Sequence, residues 1–173
     1  MSQLHIIEAD LADPGHQAAV LELTRDYARD PMGNGGDLPA DIRAGLIEGL
    51  RRHPTTLVFL ALDLALDLAL DGALDGERPV AIATCFLGFS TFAARPLINL
   101  HALHVIEAAR RRGVARALLE AVESKARALG CCKLTLEVQE QNHPARTLYE
   151  ARGFSAGEYE PGAGGVLFRQ KLL

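Results

Sequence analysis

The stretch Arg110-Arg111-Arg112-Gly113-Val114-Ala115 constrains this 173-residue chain more than any other. An apolar, strand-like run precedes it (Leu97 to Ile106) and an amphipathic run follows (Val114 to Leu129). The pattern reads as a strand, a tight glycine-containing loop and a helix. Such a loop directs several backbone N–H groups at one point, with the positive end of the helix dipole behind them, and so suits phosphate groups. Gly113 and Ala115 are small enough for the backbone to approach a diphosphate, and Arg111, Arg112 and Arg116 add positive charge nearby. A lone glycine motif is weak evidence, since Gly113 could serve only a turn and the arginines only a solvated face.

The same periodicity argument orders the rest of the chain. Leu4 to Ala9 reads as a first strand. Asp13-Pro14 is a helix start, with Asp as N-cap and Pro in the first turn, and the helix runs His16 to Arg29. The glycine-rich stretch Pro31 to Pro39 is a loop. A second helix covers Ala40 to Arg52, with Ile42, Leu46, Ile47 and Leu50 at helical spacing. Asp75 to Pro79 reads as a turn. Strands are predicted over Val80 to Phe89, Leu97 to Ile106, Lys133 to Val138 and Val166 to Leu172. Helices are predicted over Val114 to Leu129, closed by Gly130, and Ala145 to Arg152, closed by Gly153. This order predicts a single mixed α/β layered domain spanning 1–173.

Residues 60 to 75 repeat Leu-Ala-Leu-Asp three times and then read Gly-Ala-Leu-Asp. A helix would stack like charges at Asp63, Asp67, Asp71 and Asp75. A strand would place Leu60 to Leu70 on one face and alanine and aspartate on the other. The extended form is favoured over the first half, as a lengthened hairpin tip; the alternative is an added edge or dimer surface. Asp63, Asp67 and Asp71 make a membrane span here costly.

Bulk properties exclude some functions. A net charge of −4 argues against nucleic acid as the main partner. Cys85, Cys131 and Cys132 supply neither a disulfide framework nor a zinc motif, which fits a cytoplasmic protein with reduced thiols, and no signal peptide is read at the N-terminus. The histidines show no metal-ligand spacing. Asn142 could cap the helix after it, and Tyr149 could be a core ring or an acid.

The segment from about Leu97 to Phe154 resembles the GNAT superfamily of acyl-CoA-dependent N-acetyltransferases. The family's loop, Arg/Gln-x-x-Gly-x-Gly/Ala, is matched by Arg110, Gly113 and Ala115. The later signature is matched by Leu136-Glu137-Val138, Asn142, Ala145, Leu148-Tyr149 and Gly153-Phe154. The N-terminal third matches in element order alone. The resemblance implies a mostly antiparallel central sheet, splayed between strands 4 and 5, with helices on both faces. It implies acetyl-CoA as cosubstrate and no metal. Main-chain groups of Leu103, His104 and Val105 would then hold the pantetheine arm. Arg110, Arg111, Arg112, Gly113, Val114, Ala115 and Arg116 would form the pyrophosphate loop, Asn142 would contact pantetheine, and Tyr149 would protonate the departing thiolate.

The base is left open by the residues. Glu137 precedes Tyr149 at a spacing similar to the glutamate–tyrosine pair of ribosomal-protein N-terminal acetyltransferases. His101 lies where other branches carry an acidic base. His101 and His104 differ by three and so point to opposite faces of a strand unless a bulge intervenes. The acceptor implied is a small-molecule or peptide amine, and Asp26, Asp30, Asp37, Asp41 and Glu48 would favour a cationic one. The family also admits a homodimer. Two other readings stay open: a non-catalytic acyl-CoA sensor, and a partner-binding module built on the repeat.

Overall fold

The computed structural model describes residues 4–63, 77–155 and 168–171. The chain divides into two units, Met1–Glu137 and Val138–Leu173.

The first unit is built on a five-stranded sheet in sequential order, β1 (Leu4–Glu8), β2 (Thr56–Asp63), β3 (Arg78–Ser90), β4 (Arg95–Val105) and β5 (Leu134–Leu136). The first three pairings are antiparallel and β4–β5 is parallel. Helices α1 (Pro14–Arg29) and α2 (Ala40–Arg52) separate β1 from β2, and α3 (Val114–Ala128) crosses from β4 to β5. A parallel pair needs such a crossover, because a tight turn can only reverse the chain.

Local chemistry accounts for the helix ends. The Asp13 carboxylate accepts from the His16 amide at the start of α1, and proline occupies the first turn. In α3 the buried residues Val114, Leu118, Leu119, Val122 and Ala126 recur at helical spacing. Burying each of the larger ones stabilises the unit by about 2 kcal/mol. Consecutive residues Val58–Asp63 and Val80–Cys85 are all buried. A strand buried at every position has both faces covered. One cover is α1, which packs on β3 and β4, and the other is α3, which packs across β1 to β4.

Several sequence expectations shift. The turn assigned to Asp75–Pro79 ends earlier, because Arg78 and Pro79 already belong to β3, paired with Asp63 and Leu62. The first repeat unit is extended, as expected, but not one-faced. Leu60, Ala61, Leu62 and Asp63 are all buried, in a strand that lies between β1 and β3 and packs against α3. The remaining repeat units lie outside the described residues. The strand expected over Val166–Leu172 lies partly outside them, and its described part, Phe168–Lys171, carries no strand.

The second unit contains α4 (His143–Ala151). Asn142 caps it by accepting from the Ala145 amide, with Pro144 in its first turn. The turn after it closes at Gly153, which has a positive φ of 83°.

Candidate functional site

Two backbone features of the first unit make the site, and both follow from how β4 ends. The β4–β5 pairing covers Ile98, Asn99 and Leu100 opposite Leu134, Thr135 and Leu136, and then stops. From His101 to Val105 the β4 edge on that side has no strand partner among the described residues, while β3 still pairs the other edge. This is the expected splay between strands 4 and 5. It leaves main-chain groups of Leu103 open to an extended ligand, whereas those of His104 turn to β3, in step with the Ile106 amide that donates to the Val80 carbonyl at 3.0 Å, a departure from the expectation for His104. Val105 departs from the expectation in part, because its carbonyl already accepts from Arg110 Nε at 2.9 Å.

The second feature is the start of α3. Gly113 is the N-cap, with φ 83°, and no side chain caps the helix. The amides of the first turn are therefore available to an anion. A Cβ placed on Gly113 would meet nothing within 4 Å, so glycine is required for its backbone conformation rather than for room within the chain. Arg111 also has a positive φ, 60°.

The loop arginines divide by partner. Arg110 reaches Asp30 at 2.6 Å, Arg112 reaches Asp63 at 3.0 Å, and Arg116 pairs with Glu120 at 3.1 Å. Arg111 makes no hydrogen bond or ion pair among the described residues. The positive charge attributed to the whole run is therefore mostly committed to carboxylates. Burial pushes the Asp30 carboxyl up, but the Met32 amide and the Arg110 guanidinium outweigh it and hold it below its ordinary value.

A β-bulge settles the histidines. Thr84 faces Ala102 and Cys85 faces Leu100, so His101 is the extra residue in β4. With one residue inserted, Asn99 (opposite Phe86) and His104 (opposite Ile82) come to the same sheet face. The His101 ring lies edge-on to Phe86 at 5.4 Å, and Phe86 meets the His53 ring at 5.1 Å. His101 and His104 thus share one face, the face that α1 covers.

Their surroundings differ. His104 is 5% exposed, stacks on Tyr27 of α1 and lies 2.6 Å from the Asp26 carboxylate through Nε2. A carboxylate only accepts, so Nε2 carries the proton. His101 is exposed. Glu137, also exposed, is reached by Asn99 Nδ2 at 3.5 Å, and the same nitrogen donates to Thr135 Oγ1 at 3.2 Å. Asn99 thus stands between the two candidate bases, two residues before His101 on the strand.

The sequence did not single out Asn99, Phe86 or His53, named Asp63 only as a position of the repeat, and placed Asp26 only in a diffuse acidic group. That group is largely neutralised: Asp26 binds His104, Asp30 binds Arg110, Asp37 binds Arg25 and Arg29, and Glu48 binds Arg51 and Arg52. These pairings argue against a broad anionic surface for a cationic acceptor.

In the second unit Asn142 is committed to its cap through Oδ1, and Tyr149 is buried, its ring tilted against Phe154 at 5.6 Å. Both structural roles considered for these residues are therefore occupied. All three cysteines are free, burial pushes the Cys85 thiol up to about 12, and burial likewise raises Cys131. Neither is a nucleophilic thiolate at neutral pH.

A sequence model described as the acetyltransferase (GNAT) family matches residues 40–154. Comparison with the curated proteins gives no match. Solved structures share the fold. A protein of Arthrobacter sp. FB24 assigned to the acetyltransferases is 24% identical, with TM-score 0.73 over 98% of this chain and 96% of its own. Aminoglycoside N-acetyltransferase AAC(6')-Iy in complex with CoA is 19% identical, with TM-score 0.69 over 99% of this chain and 96% of its own. Ribosomal-protein-alanine N-acetyltransferase from Brucella melitensis biovar Abortus 2308 is 19% identical, with TM-score 0.67 over 96% and 99%. No described helix is long and apolar enough to cross a membrane.

Proposed function

Because this chain belongs to the GNAT acetyltransferase family, we propose that it transfers the acetyl group of acetyl-CoA to a primary amine by direct attack, with both substrates bound together. The observation that carries the reading is the uncapped start of α3 behind Gly113, next to a β4 edge left open beyond Leu100. A diphosphate suits the first feature, because helix-terminal amides and the dipole favour an anion. The amide-bearing pantetheine arm suits the second, because it can pair with the outward main-chain groups of Leu103 as an added strand does. A solved relative of the same fold holds CoA, which supports the same cosubstrate here.

The residues then divide the work. The amides from Arg111 to Arg116 hold the diphosphate, and Arg111 adds the side-chain cation left uncommitted. A neutral amine attacks the thioester carbonyl, and the nitrogen loses its proton to a base. Glu137 and His101 are the two candidates, each exposed and each near Asn99. The bulge at His101 takes main-chain groups out of the β3–β4 ladder, and a freed N–H there suits the oxyanion of the tetrahedral intermediate. The family pattern gives Tyr149 the protonation of the leaving thiolate and Asn142 a contact to pantetheine. Juxtaposing the two substrates supplies the proximity term.

Isothermal titration of the full chain with acetyl-CoA and coenzyme A tests the cosubstrate. Micromolar binding of both supports it, and a screen of amines for thiol release then finds the acceptor. Small cationic amines come first in that screen, since aminoglycoside acetyltransferases share the fold. Absence of binding at millimolar ligand would sink the proposal.

A further inference from the structure

Asp63 is the one member of the repeat's aspartates among the described residues, and its side chain is 0% exposed. Carboxylates are rarely buried so fully without a charged partner, because desolvation strongly disfavours the ionised form. Its backbone is fixed from both sides, facing Leu4 of β1 and Arg78 of β3. From this rigid position it meets Arg112 at 3.0 Å, and the Arg112 side chain is one-third exposed.

The contact matters because of where Arg112 sits. It directly precedes Gly113, the N-cap of α3, and directly follows Arg111, a non-glycine residue with φ 60°. On the other side of Arg111, Arg110 is braced to Asp30 and to the Val105 carbonyl. The loop is thus pinned on both flanks of a backbone conformation that a non-glycine residue does not favour on its own. If Arg112 turned to a phosphate instead, it would give up its ion pair with a fully buried carboxylate, which costs more than a solvated anion returns.

We propose that Asp63 is a positioning residue for the cosubstrate loop: through Arg112 it holds the loop amides in the conformation that takes the diphosphate. Arg112 then serves as a brace by its side chain and contributes to the ligand through its backbone. The inference rests on the acetyl-CoA reading above. It also gives the first repeat unit a role that the rest of the repeat does not need to share.

The test uses the full chain with Asp63→Asn, Arg112→Gln and Arg112→Lys, and the double variant Asp63→Asn/Arg112→Gln. Amide hydrogen exchange over 110–116 is read without ligand, and coenzyme A affinity by titration. Asp63→Asn and Arg112→Gln should each speed exchange in that segment and not throughout the sheet. Each should weaken coenzyme A about tenfold, which corresponds to about 1.4 kcal/mol. The double variant should be no worse than the weaker single variant, since one interaction is lost once. Arg112→Lys keeps a cation opposite Asp63 and should recover most of the affinity.

Wild-type loop exchange and wild-type affinity in Asp63→Asn would overturn the proposal. If Asp63→Asn does not fold, the two Arg112 variants decide on the same readings. A wild-type protein that binds no coenzyme A would refute the cosubstrate reading alone, and the exchange data would still confirm or refute the brace.

Discussion

Substitution of Gly113 separates backbone strain from ligand electrostatics, because alanine and aspartate should rank in opposite orders in two assays. Gly113 has φ 83°, and an added Cβ would meet nothing within 4 Å. Gly113→Ala therefore introduces no clash within the chain, only the left-handed backbone penalty of about 1–2 kcal/mol. For a chain of this size that lowers Tm by about 2–8 °C. Aspartate tolerates the left-handed region better than alanine, so Gly113→Asp should be the more stable of the two. Binding should reverse the order. A carboxylate about 5 Å from a diphosphate of about two charges costs about 1.7 kcal/mol even in water, more than tenfold in Kd. Alanine keeps the amides and adds no charge, so it should lose little affinity once folded. Differential scanning fluorimetry and titration with coenzyme A read the two quantities. Equal coenzyme A affinity in Gly113→Asp and Gly113→Ala would refute the diphosphate assignment. An unchanged Tm in Gly113→Ala would refute the left-handed geometry itself.

Once an acceptor is in hand, the kcat/KM–pH profiles of Glu137→Gln and His101→Gln identify the base. The true base governs the acid-side limb, so its variant should lose that limb and at least about 100-fold in rate, while the other keeps the profile. Tyr149→Phe should lower kcat and leave KM for acetyl-CoA within about twofold, and an equal rise in KM would show that the phenol only supports binding. Asp37 should make stability acid-sensitive: the Arg25 guanidinium first, and then Arg29, holds its carboxyl well below the ordinary carboxylate range. A depressed folded-state value contributes stability above the unfolded value of about 4, and that contribution is lost as pH falls below it. The Tm gap between wild type and Asp37→Asn should therefore be present at neutral pH and narrow in acid. A gap that stays constant would show that the ion pairs with Asp37 contribute nothing.

Much of the fold was legible because its determinants are local. The span expected for α2 matches, and α1 and α3 come within two residues of their expected ends, since caps, prolines and helical apolar spacing act over one or two turns. The Asp13–Pro14 start and the Gly113 N-cap are such signals. The order of the elements along the chain followed from the same local signals, whereas the pairing of the strands was implied only by the family resemblance. The loop proposed to take the diphosphate was legible for the same reason: strand, glycine and helix are contiguous in sequence.

By itself, then, the sequence determined most of the described elements, their order along the chain, the family motif and the residue types at the loop. Only the tertiary structure decided which charges are free and which strand face each histidine takes. Asp26 and His104 are 78 positions apart, and Asp30 and Arg110 are 80 apart. No local preference records such pairings, which arise when α1 docks on β4. The bulge at His101 is a property of the register between β3 and β4, two strands that meet only in the folded sheet. Asp63 shows the division most plainly. Its sequence neighbourhood repeats with little change through Asp67 and Asp71, yet its position at the end of a strand covered on both faces buries it and gives it Arg112 as a partner. Burial is a property of the assembled layers, so the tetrapeptide alone does not specify the charge environment of its aspartate.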